Sequence, residues 1–182
     1  MYLISAYFDE NTNEILKHLQ QKIADKTGND FMIRNNVMPH LTISAIEARN
    51  IDVLIPEFEK VCRGKLQPLE EKSVANNTIN IVSVGQLFPR VIYAAPVLNE
   101  YMMNLSISIY NEFATIPETN ISKFYQPYSW MPHITLGKCL DKEQMRQAFA
   151  VLQDLFIPID GQITKIGLST VNPYREVMSV AL

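Results

Sequence analysis

The sequence predicts an α+β protein in which one domain, residues 1–182, contains two lobes related by an internal pseudo-twofold. A six-residue phrase occurs twice, as Met-Pro-His-Leu-Thr-Ile at 38–43 and as Met-Pro-His-Ile-Thr-Leu at 131–136. In each copy polar and apolar residues alternate, as they do along a half-buried strand. An amphipathic helical pattern follows each copy, at about 51–63 and 141–155. Because a strand–helix unit repeats at half the chain length, we expect two similar lobes and a cleft between them.

The first half of the chain reads as strands alternating with amphipathic helices. Gly28 suits the left-handed end of a helix, and Asn50 is a favourable N-cap for the next one. The predicted elements, in order, are a strand at 2–8, a helix at 9–26, a polar loop at 28–39, the first motif strand at 40–46 and a helix at 51–63.

The second half begins with β-rich stretches separated by turn residues, among them Asn76-Asn77 and Gly85 to Pro89. Asp141 and Gln144 match a capping box, and Asn172-Pro173-Tyr174 reads as the last turn. The predicted elements are strands at 65–74, 78–84 and 90–96, a helix at 98–114, a loop at 116–131, the second motif strand at 133–138, a helix at 141–155, and strands at 159–170 and 175–182.

Each copy of the phrase presents a histidine and a threonine on the same face of its strand. These are His40 with Thr42, and His133 with Thr135, whereas His18, the third histidine of the chain, lies in an amphipathic helix and is expected to face solvent. An imidazole with a pKa near 6.5 can act as base or acid at neutral pH. Two imidazoles and two hydroxyls that face one another therefore predict a general acid/base site that binds an anion.

The doubled His-x-Thr-x pattern resembles the signature of the two-histidine phosphoesterase superfamily, which includes bacterial 2′-5′ RNA ligase-like proteins and cyclic phosphodiesterases. The resemblance implies two lobes, each a small antiparallel sheet with outer helices, and an active-site cleft between them. It implies phosphodiester chemistry without metal or cofactor on 2′,3′-cyclic phosphates or related 2′-linked nucleotides. His40 and His133 would be the acid and base, and Thr42 and Thr135 would bind the phosphate. The reverse reaction, 2′-5′ RNA ligation, would use the same groups.

Residues around the motifs are candidates for binding the rest of a nucleotide. Tyr128 and Trp130 precede the second motif and are suited to stack on a base, and Arg90 could add positive charge near the phosphate. Alternation along the strand places Ser44 on the same face as His40 and Thr42, and Gly137 occupies the equivalent position of the second motif. We interpret this glycine as a packing requirement rather than a ligand contact.

Charge restricts the class of partner. The chain has 16 Lys and Arg against 19 Asp and Glu, which gives a formal net charge of −3. A protein that neutralises many phosphates needs a basic surface, so a long nucleic acid is not expected as the main partner. A small nucleotide, or an RNA end bearing a cyclic phosphate, needs only a few donors.

Bulk properties predict a soluble cytoplasmic protein that does not enter a membrane, and we expect it to be a monomer. No apolar run approaches the roughly 20 residues that span a bilayer, and the N-terminal segment reads as a strand rather than a signal peptide. Two cysteines, Cys62 and Cys139, form neither a disulfide framework nor a metal cluster.

Two other functions remain open from the sequence. A metal hydrolase could use both histidines, although no Asp, Glu or Cys completes a ligand set at a usual spacing. A binding module could hold a nucleotide or RNA end without turnover, although binding alone does not need two titratable groups. Metal content tests the first alternative, and a bound, uncleaved cyclic phosphate would favour the second.

Overall fold

The computed structural model describes residues 1–64, 77–171 and 174–182, which form strands and helices in the alternating order that the sequence predicts. The strands are β1 Tyr2–Phe8, β2 Leu41–Glu47, β3 Thr78–Leu87, β4 Val91–Pro96, β5 Asn120–Ile121, β6 Ile134–Lys138, β7 Ile159–Val171 and β8 Tyr174–Ala181. The α-helices are α1 Glu10–Thr27, α2 Phe31–Arg34, α3 Ile55–Gly64, α4 Glu100–Phe113 and α5 Lys142–Leu155. The predicted strand at 65–74, and parts of the predicted turns at Asn76 and at 172–173, lie outside the described residues.

The strands pair antiparallel in two groups that share β7. One group runs β8–β7–β1–β2, and the other runs β7–β3–β4–β6. The first residues of β7 pair with β3 and the later ones with β1, so this strand belongs to both groups. The groups meet again where β2 pairs with β6 through Leu41 and Ile134. This is the two-lobed antiparallel arrangement that the sequence predicts.

Helices cover the apolar face of the sheet. Helix α1 packs against α5, β6 and β7, and α4 packs against β2 and α3. Leu41 and Ile134, the apolar neighbours of the motif histidines, are fully buried in this core. Because side chains alternate along a strand, the motif histidines and threonines point to the opposite face.

Several predicted boundaries are confirmed by local hydrogen bonds. Gly28 ends α1 in the left-handed conformation, with φ of 69°. Asp141 and Gln144 form the reciprocal capping box at the start of α5. Asn50 accepts a hydrogen bond from the Asp52 amide, but it caps a short 3₁₀ turn rather than the α-helix. The α-helix starts later because Pro56, in its first turn, has no N–H to continue the helical ladder backwards.

Two predicted loops contain short elements. The loop before the first motif includes α2, where the Asn29 side chain accepts a hydrogen bond from the Phe31 amide and Met32 is buried. The loop before the second motif includes β5, in which Ile121 pairs with Ile46 of β2. In both places one buried apolar side chain anchors a segment that is too short to show a periodic pattern.

Candidate active site

The two motif strands run antiparallel and are paired at the residues that follow the histidines, Leu41 and Ile134. In an antiparallel ladder this register sets His40 opposite Thr135 and Thr42 opposite His133. Directly opposed residues share a face and have Cβ atoms about 4.5–5.5 Å apart. The structure therefore brings all four predicted catalytic side chains together, each histidine beside the threonine of the other motif.

A β-bulge follows the threonine of the first motif. Thr42 pairs with Ser5 of β1, but the next partner of β1, Ile4, pairs with Ser44, so Ile43 is the extra residue. Ser44 consequently shares the core face with Ile4, and its Oγ is buried without a hydrogen-bond partner. The expectation that Ser44 lies on the face of His40 is wrong, because the bulge breaks the alternation.

The second motif has a bulge at the same position. Thr135 pairs with Tyr93 of β4, whereas Ile92 pairs with Gly137, so Leu136 is the extra residue. Gly137 therefore faces the core, where an added Cβ would lie 3.0 Å from Ile92 Cγ2. This close contact supports the packing interpretation of Gly137.

Both imidazoles are oriented by the same backbone contact. His40 Nδ1 lies 2.7 Å from the carbonyl oxygen of Met38, and His133 Nδ1 lies 2.9 Å from that of Met131. A carbonyl oxygen only accepts, so each Nδ1 carries a proton and donates it. Each Nε2 is thereby left to exchange a proton with a substrate, as a base when neutral and as an acid when protonated.

The backbone carbonyls of the two threonines are held by side chains from outside the sheet. Trp130 Nε1 donates to the Thr42 carbonyl at 3.0 Å, and Gln20 Nε2 donates to the Thr135 carbonyl at 3.1 Å. Trp130 is only 6% exposed and belongs to the core. A base cannot stack on a ring that is packed in the core, so Trp130 positions the first motif strand instead.

A tyrosine on the adjacent strand flanks each histidine. Tyr7 of β1 lies 6.2 Å from His40 between ring centroids, and Tyr93 of β4 lies 5.7 Å from His133. Neither tyrosine is marked by a motif in the sequence. They become neighbours of the histidines only through strand pairing, and they repeat the pseudo-twofold relation of the motifs.

Glycines beneath the two tyrosines let their rings lie against the sheet. A Cβ added at Gly167 would lie 2.8 Å from Tyr7 Cε2, and one added at Gly85 would lie 2.5 Å from Tyr93 Oη. Real Cβ atoms do not approach other atoms so closely, so neither position accepts a larger residue without moving the ring.

His40 has a second aromatic neighbour that His133 lacks in the described part of the chain. Tyr174 of the outer strand β8 stacks on His40 with 5.8 Å between ring centroids and 20° between planes. Its hydroxyl shares a hydrogen bond with the Tyr7 hydroxyl, 2.5 Å between oxygens. Burial, followed by this hydrogen bond, raises the pKa of Tyr7, so the phenol stays neutral.

The electrostatic environment favours the neutral form of His40. Burial lowers the pKa of His40, and the positive charges of His133 and Lys138 lower it further. The hydrogen bond to the Met38 carbonyl works in the opposite direction but does not compensate. Lys138 is on the histidine face because the bulge at Leu136 turns it there.

The remaining candidates lie apart from the four central residues. Arg90 donates from its guanidinium to the Cys139 carbonyl at 3.1 Å, next to Lys138 at the far end of β6. That end is about 16 Å from His133 along the strand, at roughly 3.3 Å per residue. Tyr128 is 83% exposed in the loop that enters the second motif, with a left-handed φ of 67°.

Within 1–64, 77–171 and 174–182, no group of three or more His, Cys, Asp or Glu side chains is arranged to hold a metal ion. None of the helices in these ranges is both long and apolar enough to cross a bilayer.

A family model described as the 2′-5′ RNA ligase superfamily matches residues 9–172, which include both motifs. No curated protein matches the chain. Among solved structures, the chain is similar to Kluyveromyces marxianus Usb1 with uridine monophosphate, at 12% identity and a TM-score of 0.45, over 100% of this chain and 96% of that one. A second structure of Kluyveromyces marxianus Usb1 is similar at 10% identity and a TM-score of 0.44, with the same coverage.

Proposed function

The chain belongs to the 2′-5′ RNA ligase superfamily of two-histidine phosphoesterases, and we propose that it is a phosphodiesterase. The substrates that we propose are 2′,3′-cyclic phosphates or related 2′-linked nucleotide phosphodiesters. The observation that carries this proposal is the register of the two motif strands, which opposes His40 to Thr135 and Thr42 to His133. The hydrogen bonds of both Nδ1 atoms add to it, because they leave both Nε2 atoms for proton transfer.

The reaction follows from the protonation states of the two imidazoles. Neutral His40 takes a proton from water through Nε2, and the water oxygen forms a bond to phosphorus. Protonated His133 gives its Nε2 proton to the leaving ribose oxygen as the phosphorus–oxygen bond breaks. The low pKa of His40 supports its role as the base. After this step His40 carries one more proton and His133 one fewer, and proton exchange with solvent restores the starting state.

The threonine hydroxyls bind the non-bridging phosphate oxygens, where negative charge accumulates in the transition state. Each hydroxyl lies across from the histidine of the other motif, so Thr42 and Thr135 hold the phosphate from both lobes. No metal ion or cofactor has a part in this mechanism. If a ribose 5′-hydroxyl replaces water as the nucleophile, the bond from phosphorus to O3′ of the cyclic phosphate breaks, O3′ takes the proton from the acid, and the product is a 2′-5′ linkage.

The substrate we propose is a small nucleotide or an RNA end that bears a cyclic phosphate, bound by a monomer. Tyr128 supports this proposal, since its ring is free to stack on a base beside the second motif. Arg90 is engaged with a carbonyl at the far end of β6, so the structure offers no support for a contact between Arg90 and the phosphate.

The test is turnover of 2′,3′-cyclic mononucleotides and 2′-5′ dinucleotides in EDTA by the wild type and by three histidine variants. We expect His40→Ala and His133→Ala each to lose at least about 10²-fold in rate, as the removal of a general acid or base does. His18→Ala is the matched control, because His18 is exposed on α1 and should leave turnover unchanged. Full activity of either motif variant, or loss of wild-type activity in EDTA, would contradict the proposal.

A further inference from the structure

A buried carboxamide lies beneath the second motif strand. Gln20 is 3% exposed and belongs to the apolar face of α1. Its buried neighbours on that face are Leu16, Leu19 and Ile23. A carboxamide in such surroundings costs free energy of folding unless its polar atoms are paired. The Gln20 Nε2 donates to the backbone carbonyl of Thr135, 115 residues later in the chain, at 3.1 Å.

This hydrogen bond reaches the backbone at the bulge of β6. The Thr135 carbonyl directly precedes Leu136, the extra residue, where the ladder of backbone hydrogen bonds is disrupted. Ile23, one turn after Gln20 on the same face of α1, packs on the other side of the bulge. Its Cγ2 would lie 3.5 Å from a Cβ added at Gly137. Helix α1 therefore contacts β6 both before and after the extra residue.

The bulge of the first motif has an equivalent contact from an unlike residue. Trp130 Nε1 donates to the Thr42 carbonyl at 3.0 Å, and this carbonyl directly precedes Ile43, the extra residue of β2. Trp130 comes from a loop and Gln20 from a helix, so the sequence repeat does not relate them. Two unrelated side chains thus donate to the same point of each bulge, which favours a requirement of the site over an incidental contact.

The position of the Thr135 hydroxyl depends on the backbone that Gln20 holds. Threonine is branched at Cβ, and its χ1 angle is restricted, so its hydroxyl follows any displacement of its own backbone. In the proposed reaction this hydroxyl binds a non-bridging phosphate oxygen. Gln20 itself lies on the core side of the sheet, with α1, and the motif side chains point to the opposite face.

We propose that Gln20 is a positioning residue of the reaction, which acts through Thr135 and does not touch the substrate. Its hydrogen bond fixes the carbonyl before the bulge, and the fixed backbone aims the Thr135 hydroxyl at the phosphate. This inference rests on the proposed function and adds to it a residue from outside both motifs.

The test is a kinetic double-mutant cycle on a 2′,3′-cyclic mononucleotide with Gln20→Met, Thr135→Val and the double variant. Methionine has about the length of glutamine but no donor, and valine keeps the shape of threonine without its hydroxyl. We expect Gln20→Met to lower kcat about ten- to hundredfold, as a misplaced group does. In the Thr135→Val background the further loss should stay below about threefold, because no hydroxyl is left to position. A purely structural role of Gln20 would cost the same factor in both backgrounds.

Gln144→Met is the matched control. Gln144 Nε2 also donates to a backbone carbonyl of another element, that of Thr27 at 3.2 Å, but away from both motifs. This variant should lose stability in urea denaturation and keep the wild-type kcat. Gln20→Asn, which keeps the carboxamide on a shorter side chain, takes the place of Gln20→Met in the cycle if the methionine variant does not fold. An unchanged kcat in the Gln20 variant, equal losses in both Thr135 backgrounds, or an equal loss in Gln144→Met would overturn the proposal.

Failure of the proposed function is a separate result. If the wild type turns over neither a 2′,3′-cyclic mononucleotide nor a 2′-5′ dinucleotide, the proposed function fails by itself. Calorimetric titration of the same four proteins with a 2′-mononucleotide then tests Gln20. Weaker binding to Gln20→Met than to the wild type, with no further weakening in the Thr135→Val background, would support the positioning role. Equal weakening in both backgrounds, or no binding to the wild type, would overturn it.

Discussion

The two histidines have the same backbone contact but different surroundings. Each Nδ1 donates to a carbonyl two residues earlier, and each ring has a tyrosine on the adjacent strand. Tyr174 adds a stacked ring to His40 alone among the described contacts. This asymmetry buries His40 more deeply, and burial is the main cause that lowers the pKa of His40 and favours its neutral form.

Removal of the charge on Lys138 should change the pH dependence. The charge of Lys138 lowers the pKa of His40, so Lys138→Gln should raise it. The acid limb of kcat/KM, where the base becomes protonated, should move to higher pH in this variant. Lys142→Gln, an exposed change at the start of α5, should leave the limb in place. A limb that does not move in Lys138→Gln would show that the charge of Lys138 does not act on the group that titrates in this limb.

The same shift makes a prediction for folding stability. The pKa of His40 is lower in the folded protein than its unfolded value of about 6.5, so the unfolded chain binds more protons below that pH. The contribution of His40 is therefore complete above about pH 6.5 and is lost as the pH falls towards its folded pKa. Urea denaturation of the wild type and His40→Gln between pH 5 and 8 should show a smaller pH dependence in the variant.

The hydroxyl pair of Tyr7 and Tyr174 should couple in a double-mutant cycle. Either single change to Phe removes the hydrogen bond between the two hydroxyls, and we expect a loss of about 1–2 kcal/mol in the free energy of unfolding. The double variant should lose less than the sum, with a coupling energy near 1 kcal/mol. Tyr128→Phe, on an exposed ring, should change stability by less than about 0.5 kcal/mol. Additive losses would show that the hydrogen bond contributes little.

At the level of elements, a bulge at the same place in β2 and β6 shapes the site. The extra residues, Ile43 and Leu136, each follow the motif threonine directly. Before the bulge, the histidine and the threonine of each motif face the site. After the bulge, Ser44 in β2 and Gly137 in β6 face the core. The bulge therefore interrupts the alternation of side chains in both lobes, and in β6 it turns Lys138 towards the face of the motif histidines.

The loop that enters β6 carries two aromatic residues that should behave in opposite ways. Trp130→Phe removes the N–H that satisfies the Thr42 carbonyl, so it should destabilise the fold by about 1–3 kcal/mol.

Tyr128→Ala should leave stability unchanged but raise KM more than it lowers kcat, since stacking stabilises ground state and transition state alike. Urea denaturation of Trp130→Phe and Tyr128→Ala measures the change in stability, and steady-state kinetics of both variants measure the changes in KM and kcat. A KM unaffected in Tyr128→Ala would remove Tyr128 from the binding site.

Element types were predictable wherever the signal is local. The motif strands, the capping box at Asp141 and the end of α1 at Gly28 each depend on residues close in sequence. The neighbours of the histidines were not predictable, because Tyr7 and Tyr93 reach them only through pairing between distant strands. A bulge likewise has no sequence signature here, and alternation continued through it gives the wrong face.

At the scale of the whole molecule, the pseudo-twofold explains why one phrase occurs twice. In the proposed reaction, a phosphate between the two motif strands needs a proton acceptor on one side and a proton donor on the other. Two lobes that each provide a histidine and a threonine meet this need from both sides, because antiparallel pairing of the motif strands opposes unlike residues. Strand β7, shared by both groups, and the β2–β6 contact fix the lobes in this relation.

The overall charge predicts how the protein discriminates between short and long substrates. With 16 basic and 19 acidic residues, the surface offers little attraction for a long polyanion. Under the proposed function, affinity comes from a cleft that holds a single phosphate. The logarithm of the binding constant for an oligonucleotide should then fall with log salt at a slope near −1. Small cyclic nucleotides should turn over about as well as oligonucleotides that carry the same end. Fluorescence titration of a labelled oligonucleotide with His133→Ala between 50 and 300 mM salt measures the slope without turnover. A slope of −4 or steeper, with a strong preference for long RNA, would contradict this prediction. It would require a continuous basic surface, which the composition does not predict.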